Sequence, residues 1–432
     1  MNRKLIRSWA LYDWANSAFA TTIMAAVLPI FYQQVAASNL TGNQATSYWG
    51  YSQSIAVLIV AILAPILGAI SDYSASKKKF LRFFAYMGMI ASVMLAFVDS
   101  GEYLFASFLL IIGTIGFSGA NIFYDAFLPE ISKGTNMDEV SSRGFAFGYI
   151  GGGLLLALNL LMIQKYEWFG FSSAEMGTKL AFVSVGIWWF VFSIPLFKNV
   201  KEEKKAGQVK RNKSYARIGF SRVANTFREI NQYKQLLVFL LAFWLYNDGI
   251  STIIKMATIY GSEIGIGSSH LIAALLITQF VGIPCTFFFG WLATKITAKR
   301  ALTITLFVYI GIVILGYFMS SAAHFYALAI CVGVVQGGAQ SLSRSIFGRM
   351  VPDDRHAEFF GFYGISAKFS AIVGPALFGF VGSMTGSSKL GIFSLVIFFV
   401  VGLILLQKVD ITKGIEDAKK KTVSNDKVDV HL

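Results

Sequence analysis

Ile55-Ala-Val-Leu-Ile-Val-Ala-Ile-Leu-Ala-Pro-Ile-Leu-Gly-Ala-Ile-Ser-Asp-Tyr-Ser-Ala-Ser-Lys-Lys-Lys79 runs from an uncharged apolar stretch into a polar turn and three lysines. The apolar part, taken as 48–71, is long enough as a helix to cross about 30 Å of hydrocarbon at ~1.5 Å per residue. The pattern recurs. Apolar runs occupy 8–37, 48–71, 80–98, 103–128, 141–163, 178–197, 235–260, 269–293, 300–319, 324–347, 358–382 and 388–407. Barrel strands would alternate apolar and polar residues, and these runs do not. The reading is an all-α membrane protein with twelve transmembrane helices. Composition agrees: of 432 residues, 55% are hydrophobic and only 14% are charged.

Outward from that stretch, charge sets the organisation. Lys201-Glu-Glu-Lys-Lys205 and Lys210-Arg-Asn-Lys213 fall in the longest gap between runs. Six runs precede the gap and six follow. The expected divisions are a six-helix bundle over 1–197, a linker over 198–234, a second bundle over 235–408 and a polar, mobile tail over 409–432. The net charge of +14 does not read as nucleic-acid binding, because Lys77–Lys79, Arg82, Lys133, Arg143, Lys295, Lys299, Arg300, Arg349 and Arg355 sit in or beside short loops on one side. The opposite loops at 38–47, 99–102 and 261–269 lack Lys and Arg. The positive-inside rule then puts both termini and the linker in the cytoplasm, with a bacterial plasma membrane as the expected location. The basic N-terminus reads as a retained first span, since the run behind it holds Asp13 and Asn16 and continues past Pro29. The halves also echo each other: Gly68-Ala-Ile-Ser-Asp72 parallels Gly290-Trp-Leu-Ala-Thr294, and Leu11-Tyr-Asp13 parallels Leu245-Tyr-Asn-Asp248. Pseudo-repeated six-helix halves are a transporter signature.

The loop after the second run resembles the signature loop of the major facilitator superfamily. Gly68, Asp72 and Lys77 match it. Tyr73, Ala75 and Ser76 depart from the basic residue, glycine and basic residue usual there. In the second copy Gly290, Lys295 and Lys299 match, but Thr294 replaces the acid. The loop is expected to gate, with Asp72 pairing with a basic group or capping a helix across the interface. Trp9-Ala-Leu-Tyr-Asp-Trp-Ala-Asn-Ser-Ala-Phe19, Asn121-Ile-Phe-Tyr-Asp-Ala-Phe-Leu-Pro129, Leu245-Tyr-Asn-Asp-Gly249, Gly337-Gly-Ala-Gln-Ser-Leu-Ser-Arg344 and Glu358-Phe-Phe-Gly-Phe-Tyr363 resemble one branch of that superfamily. It is the branch of the autophagy-related vacuolar amino-acid effluxers and their bacterial relatives. The resemblance implies two six-helix bundles, solute transport by alternating access and, more remotely, amino-acid efflux.

Charges inside apolar runs are the candidate site, because each costs about 2.5–3.5 kcal/mol on insertion scales unless paired or wet. Asp13 and Asn16 share one helix face; Asn121, Tyr124 and Asp125 share another. Asn247, Asp248 and Lys255 lie in the seventh run, Gln336, Gln340 and Arg344 in the tenth, and Lys368 deep in the eleventh beside Gly364 and Ala371. Asp248 or Asp13 is the expected proton carrier. Lys368 and Arg344 are expected to hold a solute carboxylate, although Arg344 alternatively snorkels to headgroups. Asp125 and Tyr124 read equally well as an interhelical clasp.

No Gly-x-x-x-x-Gly-Lys-Ser/Thr sequence occurs, so ATP-driven transport is not encoded. Cys285 and Cys331 read as small buried residues, and the four histidines lack metal-ligand spacing. No catalytic residue, cofactor or metal is expected. The expected partners are a small solute, the bilayer and protons, with no nucleic acid, and the chain is expected to act as a monomer. The leading function is proton-coupled efflux of amino acids or small peptides. The alternative is export of drugs, bile salts or other amphiphiles; a receptor or intramembrane enzyme is remote.

Overall fold

The computed structural model describes residues 3–40, 42–202, 233–370 and 373–428. The successive helices are α1 (Arg3–Ala36), α2 (Gly42–Ser74), α3 (Lys77–Phe97), α4 (Tyr103–Ile131), α5 (Met137–Gln164), α6 (Ala174–Asn199), α7 (Lys234–Glu263), α8 (Ser268–Ile296), α9 (Ala298–Tyr317) and α10 (Ala322–Arg349). They are followed by α11 (His356–Phe369), α12 (Val373–Thr385), α13 (Ser388–Lys408) and α14 (Ile411–Val428). Among the described residues eleven helices are long and apolar enough to cross a membrane. The run expected as the eleventh span, 358–382, is two shorter helices, α11 and α12, on either side of 371–372, which lie outside the described residues.

The outer surface is apolar. Along α3, Phe83, Ile90 and Phe97 recur every seven residues and are 62%, 63% and 65% exposed. Water would penalise that stripe, whereas acyl chains do not. The interior is packed with aromatic rings and small residues. On α5 the face bearing Gly144, Gly148, Gly151 and Gly152 meets Asp13, Trp14 and Ser17 of α1, so the two backbones approach closely. Helix α1 is regular to Ala18 and then widens into π-type turns over Phe19–Val27 and Tyr32–Ala36, on either side of a short turn containing Pro29. A wide turn relaxes the usual hydrogen-bond ladder, and such turns concentrate at functional sites.

Two expectations change. The tail is helical over Ile411–Val428, because Ile411, Ile415 and Ala418 recur at helical spacing and pack on the bundle. Cys285 and Cys331 are free but only partly buried. Most of the expected 198–234 linker, residues 203–232, lies outside the described residues.

Candidate functional site

The helices of the first half (α1–α6) and the second half (α7–α13) meet along two seams. Helix α2 packs on α11, and α5 packs on α8 and α10. Both seams are tightest at the end that carries the basic loops. A Cβ added at Gly68 would collide with the Ala357 carbonyl oxygen, and one at Gly290 would lie 2.6 Å from the Ser142 Cβ. Glycine is therefore required at both points for the halves to touch. Farther along, a Cβ at Gly361 would lie 2.9 Å from the Ala64 carbonyl oxygen, and those at Gly282 and Gly364 only 3.5 Å from Tyr149 and Ile122. Near the other end Gly50 and Gly382 meet nothing within 4 Å, and Tyr51 is 64% exposed.

Polar residues lock the tight end in three tiers. In the first, Asp72 Oδ2 accepts the Glu358 backbone N–H (2.9 Å), capping α11 from the opposite half. An acid at a helix N-terminus is stabilised by the unpaired N–H groups and the dipole. Asp72 also lies 3.8 Å from Lys77 Nζ, which bonds Glu130. Glu130 faces His356 across the seam at 3.8 Å. Burial holds His356 below the ordinary imidazole range, against the opposing pull of Glu130, so the ring favours its neutral form. Glu202 accepts the Lys77 backbone N–H (2.8 Å); its carboxyl is pushed up by burial, partly offset by that bond. Arg355 pairs with Glu358 through Nε and Nη2 (2.9 and 2.8 Å).

In the second tier, Asp138 at the start of α5 takes Arg349 and the Ser345 hydroxyl of α10. In the third, Arg344 of α10 enters the first half and is 3% exposed. Its Nη1 donates to Asp125 (2.9 Å) and Asp13 (3.4 Å), its Nε to the Ser141 hydroxyl (3.0 Å) and its Nη2 to the Ser141 carbonyl (2.8 Å). The guanidinium lies 4.2 Å from the Phe145 ring and 4.9 Å from the Trp9 ring. Tyr124 donates to Asp13 (2.9 Å), and Asn16 donates to Asn121. Arg344 is thus engaged by the chain's own carboxylates rather than extended to the surface. One turn away from the tight end, the Tyr149 hydroxyl bonds Gln340 (3.1 Å).

Beyond Gln340 an apolar cavity of about 120 Å³ opens within the second half. Ile253, Tyr260, Val313, Phe325 and Val332 line it, and Gln279 and Gln336 stand among its few polar groups. Asp248 lies elsewhere in this half, against the start of α12. Its Oδ1 accepts the Gly374 N–H (2.9 Å) and the Thr252 hydroxyl (3.4 Å), while Oδ2 is buried with no partner among the described residues. Asn247 bonds Ser370 (2.6 Å). Lys255 is exposed two turns along α7, and Lys295 is exposed beside Gly290. The side chain of Lys368 lies outside the described residues.

The structure therefore brings together Asp13, Tyr124, Asp125 and Arg344, pairs Asn16 with Asn121, and joins Asp72 to Lys77. It keeps Asp248 and Lys255 apart from that group. The sequence reading missed Asp138, Ser141, Glu130 and His356, which lie at the polar ends of runs and carry no in-span charge signal.

The profile of the family described as "Vacuole effluxer Atg22 like" matches residues 1–419. The chain belongs to this family. It is 41% identical to the MFS-type transporter YxiO of Bacillus subtilis (strain 168), covering 92% of this chain and 93% of that one. It is 24% identical to Autophagy-related protein 22 of Coccidioides immitis (strain RS), covering 97% and 88%. Among solved structures it is similar to the proton:xylose symporter XylE (TM-score 0.71, 14% identity, 96% of this chain and 98% of that one). It is also similar to FucP in the outward conformation (TM-score 0.69, 15% identity, 94% and 98%). The fold is that of the major facilitator superfamily, and the chain is a secondary transporter of a small solute, not an enzyme.

Proposed function

We propose that the chain exports amino acids or small peptides in exchange for protons, by alternating access between two six-helix bundles at 1–197 and 235–408 joined by a cytoplasmic linker at 198–234. The observation that carries this reading is the asymmetry of the seams: closed by three polar tiers at the basic end, open in packing at the other. The loop charges favour the basic end and both termini as cytoplasmic, so this is the outward-facing half of the cycle. Gly68, Asp72, Lys77, Gly290 and Lys295 belong to the gate. Asp13, Asn16, Asn121, Tyr124, Asp125, Gln340 and Arg344 border the path at its closed end, with Gln336 beyond them in the cavity. Asn247, Asp248 and Lys255 are proposed to flank it from the second half, together with Lys368, whose side chain lies outside the described residues. The cavity beside Gln279 and Gln336 suits the apolar part of the solute.

The same cavity also favours a second reading, export of drugs or other amphiphiles, since its lining carries little polar surface. Cells producing the protein separate the two. Amino-acid export protects against toxic amino-acid analogues and leaves sensitivity to detergents and dyes unchanged. The reverse pattern selects the amphiphile reading.

A further inference from the structure

Arg344 crosses from the second half into a receptor built wholly by the first. Three aromatic rings surround its guanidinium, at 4.2 Å (Phe145), 4.9 Å (Trp9) and 5.7 Å (Tyr124). Acceptors meet all three of its nitrogens: Asp13 and Asp125 on Nη1, the Ser141 hydroxyl on Nε and the Ser141 carbonyl on Nη2. Trp9 and Asp13 belong to α1, Tyr124 and Asp125 to α4, and Ser141 and Phe145 to α5. Bonds within the first half hold these groups in place. The Trp9 indole N–H donates to the Tyr124 carbonyl (3.0 Å), the two rings stack at 4.5 Å, and the Tyr124 hydroxyl donates to Asp13 (2.9 Å). Gly144 keeps the cradle hollow. A Cβ there would lie 2.8 Å from Asp13 Oδ2 and from Trp9 Cζ3, and 2.9 Å from Arg344 Nη2.

When α10 withdraws, the first half keeps both acids and all three rings, and only the cation leaves. What remains is a preformed cage open to the basic side, whose largely buried carboxylates have lost their guanidinium. Carboxylates ringed by aromatic faces attract an organic cation. The acceptors also select its shape, because they address three separate nitrogens in one plane. A guanidinium reproduces that fork, whereas an ammonium offers a single point of charge. We propose that this cage is the cytoplasmic loading site for a solute bearing a guanidinium group, with Arg344 as its tethered competitor. The inference rests on the transport reading and names the solute class. As the gate closes, the returning Arg344 takes the place of the solute's cation and sets the solute free on the inner side of the gate. The exchange is non-covalent, one guanidinium for another, so the acids keep a partner in both states.

The test uses the full chain in lipid nanodiscs with Arg344→Ala, which empties the cage. The probes are methylguanidinium, its neutral isostere methylurea, and methylammonium, a cation of the wrong shape. Methylguanidinium should bind about tenfold more tightly than either of the others and raise the melting temperature. The wild type, whose cage is filled, should gain nothing. Adding Phe145→Leu or Asp125→Asn should weaken the binding about tenfold. If Arg344→Ala fails to fold, Gly68→Val, which draws Arg344 away by opening the gate, takes its place. Equal binding of the three probes, or tight binding that survives both cage substitutions, overturns the proposal. Competition with Arg344 is read in the otherwise wild-type chain, with Cys285→Ser and Cys331→Ser and spin labels on Lys133→Cys and Thr294→Cys at the basic end of the two halves. L-Arginine should lengthen the distance between the labels and neutral L-citrulline should not; an equal response to both overturns the competition. Binding of L-arginine without its carriage in proteoliposomes defeats the transport reading and leaves the cage standing as a ligand site.

Discussion

Substituting Gly68 by valine should open the gate, and the structure sets the size of the effect. The new Cβ would lie 2.7 Å from the Ala357 carbonyl carbon and 2.8 Å from the Glu358 Cα, besides meeting the carbonyl oxygen. All three atoms are backbone, so no rotamer change relieves the contact and α2 must part from α11. Overpacking of this kind costs about 1–3 kcal/mol. The separation also strains the bond from the Glu358 N–H to Asp72, a charge-assisted contact worth about 1.5–3 kcal/mol. Their sum, about 4 kcal/mol, lowers the closed-to-open ratio roughly a thousandfold at 1.4 kcal/mol per decade. Ser142 is 1% exposed in the α5–α8 seam. A cysteine there should react slowly with a membrane-impermeant maleimide from the basic side in the wild-type background and much faster with Gly68→Val. Gly311→Val is the control, since nothing lies within 4 Å of its Cβ position. Unchanged labelling in a folded Gly68→Val protein would refute the gate as described.

Three further outcomes follow from the same geometry. Arg344→Gln leaves Asp13 and Asp125 without their cation and should cost about 3–5 kcal/mol of closed-state stability, seen as a lower melting temperature; Arg344→Lys should recover only part, because one ammonium nitrogen cannot reproduce the separate Nη1, Nε and Nη2 bonds to the carboxylates and to Ser141. Asp248→Asn should weaken the contact with the Gly374 N–H and lower stability by about 1 kcal/mol, and an unchanged melting temperature would contradict the hold of α12 on this carboxylate. Cysteines at positions 43 and 207 should label from opposite faces of the membrane, 207 from the cytoplasm, and same-face labelling would contradict the proposed topology.

Much of this was legible in the residues. A helix in hydrocarbon must satisfy its backbone internally and show apolar side chains, so uninterrupted runs such as 48–71 reveal spans without knowledge of their neighbours. Asp13, Asp125 and Arg344 stood out for the matching reason: charge inside such runs is costly. That they meet was not legible, because Arg344 is 331 residues from Asp13 and 219 from Asp125. Asp138 was hidden by position. It opens α5 beside the cap Asn136, where an acid looks like ordinary helix-end chemistry. The apolar cavity belongs to packing among several helices and leaves no mark on any one of them.

The central claim, proton-driven export through a gate at the basic end, is tested most directly by transport in proteoliposomes. Purified protein is reconstituted, vesicles whose proteins expose the basic end outward are selected, and uptake of labelled amino acids is followed with the lumen more acidic than the outside. The account predicts accumulation against a concentration gradient that collapses when the pH difference is dissipated. Accumulation that is indifferent to the pH difference would contradict it.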